Sequence, residues 1–218
     1  MTLQDLITLY REQAKDKKQP FFVSDAVLTV YANEAQDEAC RRGQLLRQST
    51  GPMCLLSFAA GDELVSLDTS VVRVLRAFVN ARMVNVVPVG YMDLSHPNWQ
   101  ADAVCGQPQV LVSGLSTDAL QLWPTPDTAG EVRLTVQRLP VTPMAALTDT
   151  PEIRREAHAA LVDWMLYRAY SSEDTEIYND SKAQLALKRF TGEFGAKAST
   201  RNETWVRDGA GVLPAPLA

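Results

Sequence analysis

The chain has 218 residues, of which 46% are hydrophobic and 22% charged, with a formal net charge of -5. That is ample apolar material for one sizeable domain or two closely packed layers, and with no basic run beyond Lys15, Lys17 and Lys18 it excludes the phosphate-neutralising stripe that tight nucleic-acid binding requires. Apolar runs around Val71 to Val79 and Met83 to Val89 are interrupted by Arg73, Arg76, Arg82, Asn85 and Pro88, well short of the roughly 18 to 20 residues a membrane span needs.

At the amino terminus Leu3, Leu6, Ile7 and Tyr10 fall at helical spacing, and this helix is expected to end among the lysines before Pro20. Met1 to Tyr10 carries Asp5 and no basic leader, so it reads as mature chain with a cytoplasmic origin. Ser24 is placed to cap a second helix, with Val23 and Leu28 as a hydrophobic staple. Val27, Val30, Tyr31 and Ala35 are expected to continue its apolar face, with Gly43 inside or near its end and a firm stop at Ser49, Thr50, Gly51 and Pro52.

From about Met53 to Pro140 the pattern changes to short β-strands: Met53 to Phe58, Leu64 to Leu67, Val71 to Val79, Met83 to Val87 and Val110 to Val112. Leu120 to Trp123 and Val132 to Leu139 read as a hairpin, with Val132, Leu134 and Val136 on one face and Arg133, Thr135 and Gln137 on the other. Between strands, Tyr91 to Trp99 reads as a short helical turn leading to a buried indole that anchors a loop on the sheet. Residues 51–150 carry nine acidic residues against five basic ones, so the β-rich centre holds most of the excess acid. Cys40, Cys54 and Cys105 are too widely spaced for a disulfide framework or a zinc cluster and read as reduced, mostly buried thiols.

Thr150, Pro151 and Glu152 have the composition of a helix start, and Ile153, Ala157, Leu161, Trp164 and Arg168 would follow one face of that helix. After a break at Ser171 and Ser172 a last helix through Ile177, Tyr178, Leu185 and Phe190 completes a helical hairpin, ending near Gly192 and Gly195. Residues 196–218 are rich in Ala, Gly, Ser, Thr and Pro, with one large apolar pair, Trp205 and Val206. Such a segment offers too little apolar surface to offset ordering costs of about 1 to 2 kcal/mol per backbone residue, and reads as an extended arm needing a partner surface.

Chemistry has little to stand on. His96 and His158 are isolated, and neither belongs to an HExxH, a nucleophile elbow, a P-loop or a dinucleotide fingerprint. Glu173, Asp174 and Glu176 cluster at a helix start, where acids compensate the helix dipole. No catalytic, cofactor-binding or metal-ligating residues are assigned, and the expectation is a non-enzyme without cofactor. The fold expected is α+β, with N- and C-terminal helices (residues 1–52 and 141–195) forming a bundle packed with a central antiparallel β-sandwich or open barrel (53–140), followed by the arm 196–218.

The order of residues resembles one family over residues 1 to about 195. Pro108 to Leu111, then Leu120 to Pro126, the strand ending Arg138, Leu139 and Pro140, then Asp149, Thr150 and Pro151 before His158 to Val162, and an aromatic-ending helix at Phe190 follow one another as in the head-to-tail adaptor proteins of tailed bacteriophages, related to the tail tubular protein A of short-tailed phages. The helix capped near Ser24 and Asp25, with Tyr31, Asn33, Glu34 and Ala35, resembles the opening helix pair, and Asp93, Leu94, Trp99, Gly106 and Pro108 also fit.

This resemblance implies a structural protein of the virion, assembled in the host cytoplasm and placed at the head-tail junction. It implies a homo-oligomeric ring, a dodecamer, between the portal protein and a distal tail or nozzle protein, with DNA only as cargo passing through the channel and no membrane partner. The acidic centre suits a lumen that must not hold DNA. Trp205, Val206 and Arg207 in the arm are the expected portal contacts, since buried aromatic anchors dominate interface energy. Two other readings stay open. One is a different neck component, such as a head-closure or tail-completion protein, or an assembly factor absent from the virion. The other is a hydrolase built on a β-core.

Overall fold

In a computed structural model, residues 1–172 and 176–197 are described, and they divide into two compact units: Met1–Leu46 with Leu139–Lys197, and Arg47–Arg138. The first is helical. Helix α1 (Leu3–Ala14) starts with a capping box, in which Thr2 accepts from the Asp5 N–H and Asp5 accepts from the Thr2 N–H. Its first N–H groups, which have no partner within a helix, are taken by the carbonyls of Asp149 and Leu147 at 2.8 and 3.0 Å. Leu3, Leu6, Ile7 and Tyr10 are all buried as their spacing predicts, each apolar side chain removed from water contributing roughly 1.5 to 3 kcal/mol.

Helix α2 (Asp25–Gly43) is capped by Ser24, as expected, and of its expected apolar face Ala35 is buried and Tyr31 packs on the core, while the two valines do not. Leu28, Ala32, Ala35, Gln36, Ala39 and Cys40 face the core, whereas Val27 and Val30 are exposed. The alanines decide this: three small residues on one stripe let neighbouring helices approach closely, which branched valines would prevent. Gln36 is buried because its Oε1 accepts from the Glu152 N–H at 2.6 Å. Helix α2 ends at Gly43, which the sequence places inside or near its end, because Gln44 adopts a left-handed conformation, and strand β1 (Leu46–Gln48) follows ahead of the expected stop at Ser49.

In the carboxy-terminal half, the expected helix start at Thr150 to Glu152 is overturned. Glu152 instead turns its carboxylate on the N–H groups of Val141 and Thr142, and only a 3-10 turn (Arg155–Ala157) precedes helix α4 (Leu161–Tyr170). A competing set of hydrogen bonds thus outweighs local helix signals. Helix α5 (Asp180–Phe194) begins after Ile177 and Tyr178, because Asn179 supplies the cap by accepting from the Lys182 N–H. These two helices pack on each other, and Leu161, Val162, Met165, Phe190 and Phe194 join α1 and α2 in one apolar core.

The second unit is a curled mixed sheet, a half-barrel, so the chain is α+β with an open barrel as expected. After β1 come a 3-10 turn (Pro52–Cys54), β2 (Leu55–Phe58), β3 (Leu64–Ser66), β4 (Val71–Val79), β5 (Arg82–Pro88), helix α3 (Val89–Ser95), β6 (Val110–Ser113), β7 (Ala119–Trp123) and β8 (Gly130–Arg138). Their order is β1-β8-β4-β5-β6-β7-β3, with β2 also on β8. Among the pairs whose register is defined, all are antiparallel except β5 with β6. Parallel neighbours need a crossover of a dozen or more residues, and residues 89–109 with α3 supply it.

The predicted hairpin does not form. Strand β7 pairs with β6 and β3, while β8 pairs with β4 and β2. Pro124 and Pro126 lie between them, and Thr125 is tied elsewhere: its N–H donates to Val104 O at 3.1 Å and its carbonyl accepts from the Gly106 N–H at 2.9 Å. The alternation within β8 is nevertheless real, with Val132, Leu134 and Val136 fully buried in the barrel core. Tight packing at its start depends on Gly130, where a Cβ would run into the Asn80 side chain and Phe58.

Candidate functional site

The residues assigned to partner binding, Trp205, Val206 and Arg207, lie outside the described residues, as do Glu173 and Asp174. What the structure describes is the end of the last helix before them. Helix α5 ends at Gly195, whose φ of 92° suits a residue without Cβ. Arg42, four residues after Glu38 on α2, clamps this end. Its guanidinium is almost fully buried and donates to Glu38 Oε1 at 2.8 Å, to Thr191 Oγ1 at 3.1 Å and to the Gly195 carbonyl at 3.3 Å. The same group lies 5.5 Å from the Trp164 ring and 5.2 Å from that of Phe190, distances at which a cation is held by the ring quadrupole. Glu38 is held from a second side by Arg41 at 2.9 Å. A buried carboxylate with two arginines is electrostatically satisfied, so this cluster joins elements rigidly and has no unpaired base to offer.

Asp16 and Asp149 are likewise tied to named partners, whereas Asp37 and Asp163 are set mainly by burial. Asp16 is buried, pairs with Arg11 at 2.9 Å and accepts from the Phe22 N–H, which shapes the turn between α1 and α2. Two N–H groups, from Ala145 and Ala146, hold the Asp149 carboxyl below the usual carboxylate range. Burial pushes Asp163 upward, with Arg189 acting against it. Burial also raises Asp37, and the neighbouring Glu34 charge adds to the effect.

Among the described residues neither histidine hydrogen-bonds to a carboxylate or a thiol. His158 is buried, with Nε2 at 2.9 Å from Ile153 O and Nδ1 at 3.1 Å from the Met1 nitrogen. His96 is exposed, with Nδ1 at 3.0 Å from Ser95 Oγ and its ring 4.8 Å from that of Trp123. Among the described residues no group of three or more His, Cys, Asp or Glu is placed to hold a metal. Cys40 and Cys54 are buried, but Cys105, expected to be mostly buried, is exposed. Trp99 anchors its loop as predicted: it is buried with Met92 and Val112, and its Nε1 donates to Asp93 Oδ1 at 2.9 Å.

The Arg42 clamp escapes sequence reading because its partners, Thr191 and Gly195, are some 150 residues away and nothing local marks them. Among the described residues no helix is long and apolar enough to cross a membrane. No curated protein matches the chain. A family model described as SU10 adaptor protein matches residues 1–212, nearly its whole length.

Proposed function

We propose a ring-forming connector role for this chain, which belongs to the SU10 adaptor protein family and so serves as a structural phage adaptor. The reading is that copies assemble into a closed ring, a dodecamer, joining the portal protein to a distal tail or nozzle protein, with DNA passing through the channel. The match over residues 1–212 carries it, because it spans both the helical and the sheet unit as well as most of the arm. The narrower kinship with tail tubular protein A belongs to the same proposal and rests on the order of motifs.

Several observations support the reading. The predominance of acid in residues 51–150 suits a surface that DNA passes without sticking. The rigid Arg42 clamp gives the arm a fixed root, from which Trp205, Val206 and Arg207 would reach the portal. The test is electron microscopy of the purified protein, alone and mixed with portal particles. Rings that cap the portal vertex are expected. A chain that stays monomeric and leaves the portal bare would overturn the proposal.

A further inference from the structure

Strand β5 changes partners along its length. Arg82 to Val84 pair with β4 across a two-residue turn, in which Asn80 and Ala81 both have positive φ, and Asn85 to Pro88 pair with β6. Pairing between β4 and β5 therefore stops at Ala77, and the two strands diverge. Among the described residues, Val72 to Arg76 have no strand partner on the side away from β8, and Asn85 and Val86 have none on the side away from β6. Between these open edges lies a cleft of about 620 Å³ within the sheet unit. Val72, Leu75, Val86 and Leu115 supply aliphatic walls, and Arg73 and Arg76 line the same cleft. Among the described residues no acidic side chain lines it, although the surrounding residues 51–150 are acidic in sum. Neither arginine forms an ion pair among the described residues; Arg76 only lies 5.2 Å from the Phe78 ring.

We propose that this cleft is a strand-acceptor site for an extended acidic segment of a partner protein, aliphatic at alternate positions and carrying carboxylates opposite Arg73 and Arg76. An open strand edge supplies a row of N–H and C=O groups that an incoming strand satisfies, while alternate side chains drop into pockets on the sheet. The register shifts of β4 fall between Val71 and Arg73 and between Val74 and Arg76. Bulges and arginines on an edge deter pairing with a neutral or basic strand, so the same features that prevent indiscriminate aggregation select for acid. A ligand made only of a small anion would use the arginines but leave both open edges and the aliphatic walls unused.

The probe is a fluorescein-labelled peptide alternating valine and glutamate over about seven residues, a typical strand length, titrated into the full chain and followed by anisotropy. Binding is expected, with amide hydrogen exchange slowed at Val72 to Arg76. Replacing glutamate by lysine, or methylating alternate peptide nitrogens, is expected to weaken binding by about tenfold or more, the first through charge and the second through the lost ladder. Arg73→Glu combined with Arg76→Glu is expected to reject the glutamate peptide and accept the lysine peptide, which also shows that the variant is folded. Equal binding of the methylated and unmethylated peptides would overturn the proposal. So would slow exchange at Val72 to Arg76 in the free chain with no peptide binding, since another part of the same protein would then fill the cleft.

Discussion

Single side chains in this protein are held by their environments in ways that make definite predictions. Gly130 is required by space alone, because a Cβ there meets Asn80 and Phe58. Gly130→Ala is expected to destabilise by about 1 to 3 kcal/mol, as overpacking typically does, read from urea unfolding of the full chain. Acid dependence separates two aspartates of opposite sign. Asp149 has its folded value lowered by the Ala145 and Ala146 N–H groups, so its contribution is present above the unfolded carboxylate range and is lost as pH falls through the folded value. Asp163 has its folded value raised by burial, so ionising it costs stability at neutral pH and that cost disappears on acidification. Asp163→Asn should therefore raise the unfolding midpoint at pH 7 and gain less than the parent between neutral and mildly acidic pH. Asp149→Ala should flatten the acid-side loss. Unfolding curves collected across that range check both directions.

Elements formed where their own periodicity was strong, and shifted where distant groups offered better partners. Helix α1 was legible because four large apolar residues mark a single stripe. The face of α2 is only partly legible because three of its buried residues are alanines, which add little to an apolar pattern, whereas exposed Val27 and Val30 dominate it. The start of α4 was misplaced because Glu152 caps a loop instead of a helix. Strand β8 was read correctly and its partner was not, since alternation reports which face is buried and carries no information about the neighbour. Between α2 and α5 the joining element is Arg42. Truncation as Arg42→Ala leaves Glu38 short of one partner in a buried setting and is expected to cost on the order of 3 kcal/mol. Arg42→Lys would keep the charge but lose the hydrogen-bond fork to Thr191 and Gly195, and should rank between the two in denaturant midpoint.

For the whole molecule, the helical unit and the curled sheet each have their own apolar core, and function is expected where neither core needs its residues: the arm and the open edge of β4. Deleting residues 196–218 is expected to abolish co-sedimentation with portal particles, and Trp205→Ala should weaken that association by about 2 kcal/mol or more if the indole fills a pocket. Undiminished binding by either variant would remove the arm from the portal contact. Length and the helix-strand-helix sequence of patterns were enough to determine an α+β chain, because burial of apolar residues follows local periodicity. Tertiary structure alone decided that β7 and β8 separate, that β5 runs parallel to β6, that Arg42 fastens the end of α5, and that β4 and β5 diverge around a cleft. Each of those outcomes is a choice among competing partners far apart in the chain. Such choices are settled by which backbone and charged groups can all be satisfied at once, a condition that no local window of sequence contains.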